Sequence, residues 1–168
     1  ALFTDDDNLA QIMRQIRVHG QAKKHHHPIL GINGRLDTLQ AAILLEKLEI
    51  FPDEIIKRQQ VAARYNQMLQ SADVTLPVLG EGQTSVYAQY TILSGNRDEL
   101  CQKLAAAKVP SVSYYAVPLH LQPVFSDLGH QLGDFPVAEM VASQCLSLPM
   151  NPYLNDEEVE LVCSTLLA

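Results

Sequence analysis

The chain has 168 residues, of which 47% are hydrophobic and 18% are charged, and its 19 acidic and 12 basic side chains give a net charge of −7. This composition is typical of a globular protein and argues against disorder. The negative net charge argues against nucleic acid as a partner. No apolar run approaches the roughly 20 residues that a membrane span needs, which argues against a membrane partner. No secretory signal is expected, and three cysteines without CxxC spacing indicate inert thiols in a cytoplasmic protein.

The first predicted helix follows a run of aspartates near the start of the chain. Its apolar side chains recur at helical spacing, at Leu9, Ile12, Met13 and Ile16. Thr4 or Asp5 is expected to cap this helix, and Gly20 is expected to stop it. Carboxylates in the first turn suit the positive end of a helix.

Two more helices are predicted before residue 71. The segment Leu36–Leu48 is apolar over more than half of a helical surface, which predicts burial in a large interface. Pro52 suits the first position of a helix, so a separate helix is predicted from Pro52 to about Leu69.

From residue 72 onward the pattern changes to short strands that alternate with helices, after a loop over residues 71–85 that is rich in Gly, Pro, Ser and Thr. The predicted order is a strand over 86–94, a helix from Asn96 to about Lys108, a strand over 111–117, an irregular segment over 118–129, a helix from Pro136 to Gln144, a strand over 145–150 and a final helix that Asn155 and Glu158 cap. We therefore expect a small α+β layer of about three strands.

The segment "KKHHHPIL", which begins at Lys23, is the first candidate site. Three histidines can bind zinc, but adjacent residues cannot easily converge on one ion, so a solvated loop is the better interpretation. Lys23 and Lys24 could still attract an anion.

Asn33 and Arg35 are the second candidate site. Both lie in "GINGR", a turn of small residues directly before the apolar helix. A guanidinium is the preferred group for bidentate binding of a carboxylate or phosphate. The segment "GINGR" has neither the spacing nor the lysine of a phosphate-binding loop. From chemistry alone, a structural role for Arg35 and an anion-binding role both stay open.

The third candidate site lies in "VSYYAVPLHLQP", which holds Tyr114, Tyr115 and His120 around two prolines. Polar aromatic side chains that precede irregular backbone often line a pocket, although buried tyrosines of a core give the same pattern. Neither Ser-His-Asp nor Cys-His catalysis has supporting spacing.

Six segments in chain order resemble the sugar-nucleotide aminotransferases of the DegT/DnrJ/EryC1/StrS family. They are "ALFTDDDNLAQIMRQIRVHG", "GINGRLDTLQAAILLEKL", "RQQVAARYNQML", "SVYAQYTIL", "YYAVPLHLQP" and "CLSLPMNPYL". The wording "RLDTLQAAILLEKLEIF" with "SVYAQYT" resembles most the branch that aminates 3-keto UDP-N-acetylglucosaminuronate for bacterial O-antigen and lipopolysaccharide sugars.

The resemblance implies a fold and a division of the chain. The fold would be the α/β fold of aspartate aminotransferase, fold type I of the pyridoxal phosphate enzymes. Residues 1–71 would be the helical end of the large domain with its interface helices, and residues 72–168 the small α+β domain. In the family the Schiff-base lysine precedes a strand that matches "ALFT", so we expect that lysine upstream and no catalytic residue in this chain, which alone would be inactive.

The resemblance also implies roles for the candidate residues. Asn33 would donate to the cofactor phosphate of the partner subunit in a homodimer with shared active sites, while Arg35, Tyr114 and Tyr115 would contact the UDP-sugar. Tyr114 and Ala116 stand where His and Pro are usual, and a phenol cannot become cationic near neutral pH as imidazole can. The amino donor would be an amino acid, glutamate by expectation.

Two other readings stay open. The chain could be a stable fragment without catalytic function, or its parent could dehydrate a sugar, as relatives do in which His replaces the lysine. The residue that discriminates these readings is expected upstream.

Overall fold

The computed structural model describes residues 2–168, and it divides into two compact units, of which the first ends at Ile50 and the second comprises Phe51–Ala168. This division into units does not test the predicted domain boundary between residues 71 and 72, which stays a prediction.

Helix α1 spans Asp7–Ile16 in the first unit, so it ends four residues before Gly20, the residue predicted to stop it. The Asp6 carboxylate caps the helix, because it accepts hydrogen bonds from two backbone N–H groups of the first turn at 2.8 and 3.1 Å. The predicted cap at Thr4 or Asp5 is therefore wrong by one or two residues. Thr4 instead accepts a hydrogen bond from the backbone N–H of Asp6 at 3.1 Å.

Helix α2 spans Thr38–Met68 without interruption and contains Pro52. The prediction of two helices, Leu36–Leu48 and a second that begins at Pro52, is therefore wrong. A proline removes one backbone N–H from the hydrogen-bond ladder, and in a helix of 31 residues the turns on both sides remain helical.

The apolar side chains of Leu36–Leu48 lie exposed in this chain, and Leu39 is the extreme case with 81% of its surface accessible. The described residues therefore do not supply the interface that the sequence predicts for this segment.

The core of the second unit lies on a two-stranded antiparallel sheet. Strand β1 (Tyr90–Leu93) pairs with β2 (Cys145–Leu148), which is buried along its whole length. The same unit contains three further helices, α3 (Arg97–Ala106), α4 (Pro136–Gln144) and α5 (Asp156–Leu167). The largest fully buried side chains are Tyr65, Leu69, Tyr90, Ile92, Leu104, Leu146, Val159 and Cys163.

The predicted strands are longer and more numerous than those that form. Residues 86–94 give a strand only from Tyr90, since Tyr87 has a φ of +44° that breaks extended backbone before it. The strand predicted over 111–117 is wrong, because this segment pairs with β2 through Val112 alone. Prolines close both ends of the segment, and a proline cannot donate to a strand ladder.

The remaining helix predictions agree closely with the structure. Helix α4 has the predicted bounds, and Asn155 with Glu158 forms the predicted capping box at α5. Asn96 precedes α3 but its side chain makes no capping bond, and α3 ends two residues before Lys108. Two 3₁₀ helices, Leu119–Leu121 and Pro123–Leu128, occupy the segment predicted to be irregular.

Within residues 2–168, no helix combines the length and the apolar character that crossing a lipid bilayer requires.

Candidate functional site

The loop that carries Asn33 is fixed by backbone hydrogen bonds to the end of α1. His19 donates to the Ile32 carbonyl at 2.9 Å, and Ile32 donates to the Ile16 carbonyl at 2.8 Å. Gly34 donates to the Arg17 carbonyl at 2.8 Å. Three such bonds within four residues leave the loop little freedom, so its side chains project from a rigid base.

Two glycines allow this close pairing. A β-carbon at Gly31 would lie 1.9 Å from the amide nitrogen of Gly20, and one at Gly20 would lie 1.8 Å from the Ile29 carbonyl oxygen. Gly20 also has a φ of +69°, which side-chain-bearing residues rarely adopt. Only glycine fits at either position without a shift of the backbone.

The side chains of Asn33 and Arg35 are exposed, and among residues 2–168 neither has a hydrogen-bond acceptor or a carboxylate partner. An amide donor and a guanidinium without internal acceptors suit an anion with several oxygens. The residues present therefore fit a phosphate group, as the cofactor implied by the sequence would require.

The histidine segment does not gather into a metal site. The described residues contain no group of three or more His, Cys, Asp or Glu side chains that could hold an ion. Lys23 pairs with His26 across a tight turn, and the Nδ1 atom of His27 lies 3.0 Å from the His19 carbonyl oxygen. These contacts make the segment a short exposed hairpin beside the Asn33 loop.

In the second unit, Tyr114 and Tyr115 line a cavity of about 780 Å³, which we call the tyrosine cavity. Both rings are more than half exposed, so the alternative that they belong to the core is wrong. The wall is largely apolar, from residues such as Val117, Leu119 and Phe135. A cavity of this size and character can hold a small organic ligand.

A few polar groups stand in the wall of the tyrosine cavity. The hydroxyls of Thr91 and Ser147, which face each other across the sheet, are hydrogen-bonded at 2.7 Å. Gln89 and Asp134 are the other polar side chains of the wall beside the tyrosines. Sequence reasoning missed these four polar residues. Strand pairing and the turn before α4 bring them together, and no local sequence pattern indicates it.

His120 does not line the tyrosine cavity; its side chain is 8% exposed and its Nε2 atom lies 3.0 Å from the Oε1 atom of Glu139. Burial raises the pKa of the Glu139 carboxyl, but the N–H groups of Gly133 and Phe135 together with His120 outweigh it, so that pKa lies below its ordinary value. Sequence reasoning also missed Glu139, whose position in the first turn of α4 resembles an ordinary helix-start carboxylate.

The sequence profile of the DegT/DnrJ/EryC1/StrS aminotransferase family matches residues 1–167. The chain belongs to this family. The UDP-2-acetamido-2-deoxy-3-oxo-D-glucuronate aminotransferase of Pseudomonas aeruginosa is 46% identical to it over 99% of this chain and 45% of the relative.

Two crystal structures show the same fold. A DegT DnrJ EryC1 StrS aminotransferase from Brucella abortus has 42% identity and a TM-score of 0.88 over 98% of this chain and 44% of its own. S. venezuelae DesV, in complex with a ketimine intermediate, has 33% identity and a TM-score of 0.90 over 96% and 44%. The predicted α/β aminotransferase fold is thus confirmed, and the chain spans less than half the length of these family members.

Proposed function

We propose that this chain is the C-terminal portion of a pyridoxal phosphate-dependent aminotransferase that acts on a keto sugar nucleotide, 3-keto UDP-N-acetylglucosaminuronate. The amino donor is an amino acid, glutamate in this proposal, and the product serves O-antigen and lipopolysaccharide synthesis in the cytoplasm. The observation that carries the proposal is the pair of donors without internal acceptors, Asn33 and Arg35, on a rigid loop. The 46% identity with the Pseudomonas relative supports this substrate.

The chain's residues bind and orient, while the cofactor supplies the electron sink for amino transfer. The Asn33 amide would hold the cofactor phosphate of the partner subunit in a homodimer by donating an N–H to it. It does so from a loop whose backbone bonds are already formed, so binding costs little ordering. The Arg35 guanidinium binds the anionic sugar nucleotide through paired N–H donors.

Tyr114 and Tyr115 contact the sugar nucleotide with rings for stacking and hydroxyls for hydrogen bonds. A tyrosine side chain carries no positive charge, so the negative charge of the substrate is left to Arg35. The lysine that moves the proton is proposed to lie upstream, so this chain alone catalyses no transfer.

The test is an absorption spectrum of this chain with pyridoxal phosphate, alone and mixed with the upstream half of the enzyme. Bands of a lysine-bound cofactor are expected only in the mixture, and borohydride reduction with mass mapping is expected to place the label on the upstream segment. A mixture of two folded halves that never forms such bands contradicts the lysine mechanism and favours a dehydratase or a non-catalytic fragment.

Two variants that each replace an exposed asparagine by alanine test the role of Asn33. Asn33→Ala is expected to weaken cofactor retention about tenfold, as is typical when a charge-assisted donor is lost. Asn8→Ala, which removes an exposed amide from α1, is the matched control and is expected to retain the cofactor. Equal retention in both variants would contradict the role of Asn33.

Substrate choice is tested with the mixture and glutamate. Amination of the 3-keto UDP-uronate but not of its counterpart with a C6 hydroxymethyl group would support the uronate. Equal rates with both sugars would contradict this assignment.

A further inference from the structure

The Glu139 carboxylate joins three segments that surround the tyrosine cavity. Both of its oxygens accept from the backbone N–H of Gly133, at 2.8 and 2.9 Å. Its Oε1 atom also accepts from the Phe135 N–H at 3.3 Å and lies 3.0 Å from Nε2 of His120. One side chain of α4 therefore holds the first 3₁₀ helix and the turn before α4.

This contact lies in the partition between two cavities. Leu119, Phe135 and Ala138 line the tyrosine cavity and also a second cavity of about 450 Å³, which His120 lines from the other side. The His120 ring packs against Phe135 with 4.7 Å between ring centroids. A movement of His120 or of the 133–135 turn therefore changes the wall that the tyrosine cavity presents to a ligand.

Hydrophobic burial does not hold these segments in place. Neither 3₁₀ helix contains a fully buried residue, and Phe135 is 44% exposed. The carboxylate, by contrast, is largely shielded, with 15% of its side chain accessible. A shielded carboxylate is costly unless hydrogen-bond donors surround it. The donors around Glu139 come from the first 3₁₀ helix and from the turn before α4, so these hydrogen bonds hold the two segments against α4.

We propose that Glu139 and His120 are positioning residues that fix the wall of the tyrosine cavity and thereby set its affinity for the nucleotide sugar. The statement about affinity rests on the proposed function, whereas the statement about the wall does not. His130 and Asp134 are two further titratable groups of this region. They form a separate pair with 3.5 Å between Nδ1 and Oδ2, so they do not replace the contact between His120 and Glu139.

The first experiment needs no ligand. NMR spectra of this chain report the ring signals of Tyr114 and Tyr115 and the methyl signals of Val117 and Leu119. Glu139→Gln keeps the shape of the side chain but removes its charge, and it is expected to shift and broaden these signals. Glu160 is an exposed glutamate of α5 whose side chain makes no hydrogen bond within the described residues, so Glu160→Gln is the matched control and is expected to leave these signals unchanged.

A second variant keeps the proposal falsifiable if Glu139→Gln folds poorly. His120→Phe removes the donor but retains a ring that packs on Phe135, and it is expected to move the same signals. Unchanged cavity signals in a folded Glu139→Gln or His120→Phe chain would overturn the proposal.

The second experiment measures the affinity of the mixture of both halves for UDP-N-acetylglucosaminuronate by calorimetry. Each single variant is expected to weaken binding about three- to tenfold, and the double variant no more than the worse single one, as coupled residues require. Multiplicative losses would overturn the coupling. If the unsubstituted mixture binds no sugar nucleotide, the proposed function fails, and the NMR result still decides the positioning role.

Discussion

Gly20 and Gly31 lie backbone against backbone, and a β-carbon at Gly31 would stand 1.9 Å from the Gly20 amide nitrogen. This approach is what lets the loop of Asn33 pair with the end of α1. Gly31→Ala is therefore expected to push the loop away from α1 and to destabilise the first unit by about 2–3 kcal/mol, a typical cost of overpacking. The N–H groups of Ile32 and Gly34 bond to the end of α1, so their hydrogen exchange should accelerate in step with this loss of stability.

The control for this prediction is Gly95→Ala, because nothing lies within 4 Å of a β-carbon at Gly95. A Gly31→Ala chain with unchanged exchange at Ile32 would mean that the loop does not depend on the close approach.

A second prediction concerns the buried hydroxyl of Tyr65, which donates to the Pro149 carbonyl at 2.9 Å. Tyr65→Phe leaves that carbonyl without its partner, so we expect a loss of about 1–2 kcal/mol in the free energy of unfolding. Tyr153→Phe is the matched control, since the Tyr153 hydroxyl bonds to Glu54 on the surface and should contribute less than about 0.5 kcal/mol. Urea denaturation of both variants tests the difference, and equal losses would contradict it.

The three helices of the second half, α3, α4 and α5, follow closely from sequence, because capping residues and apolar spacing are local signals. Asn155 with Glu158 and the start of α4 at Pro136 were predictable on that basis. Local pattern failed at two other places. It did not reveal that α2 continues through Pro52, nor that a predicted strand is reduced to one bridge at Val112.

The same distinction applies to the candidate site. Asn33, Arg35 and the two tyrosines could be proposed from residue type and family resemblance. Glu139 could not, because a glutamate in the first turn of a helix is ordinary until the fold places His120 beside it.

A third prediction concerns acid stability. The pKa of Glu139 is lower in the folded chain than its ordinary value of 4.5. A depressed carboxyl pKa contributes stability that is fully present above the unfolded pKa and is lost as pH falls through the folded pKa. The melting temperature of the unsubstituted chain should therefore exceed that of Glu139→Gln at pH 6, and the difference should shrink below about pH 4.5.

Thermal scans between about pH 3 and pH 7 measure this difference, and Glu160→Gln again controls for the loss of one carboxylate. A difference that stays constant down to the lowest pH would contradict the role assigned to the Glu139 charge.

A fourth prediction concerns the three cysteines. Burial raises the pKa of the Cys163 thiol to about 11, and Cys145 is buried as well, whereas Cys101 is partly exposed. Since the thiolate is the reactive form, an alkylating reagent at pH 8 is expected to modify Cys101 first. Mass spectrometry of the native chain tests this order, and modification of Cys163 at the same rate as Cys101 would contradict it.

The last prediction concerns the exposed apolar face of α2. Leu39 and Ile43, which lie one turn apart on α2, are each more than 60% exposed, and an exposed apolar surface of this kind commonly marks an interface between chains. In the proposed homodimer this face is covered, so the chain is expected to self-associate. Leu39→Glu should raise the dissociation constant at least tenfold, because a charge would be buried without a partner.

Val78→Glu is the matched control, since Val78 is 88% exposed but lies in a loop outside α2. Sedimentation velocity over a range of concentrations measures both variants. Dissociation by Leu39→Glu alone would place the interface on α2 and would bring the Asn33 loop, which precedes that helix, next to a second copy of the chain. Equal effects of the two substitutions would indicate non-specific association and would remove the basis for a site shared between subunits.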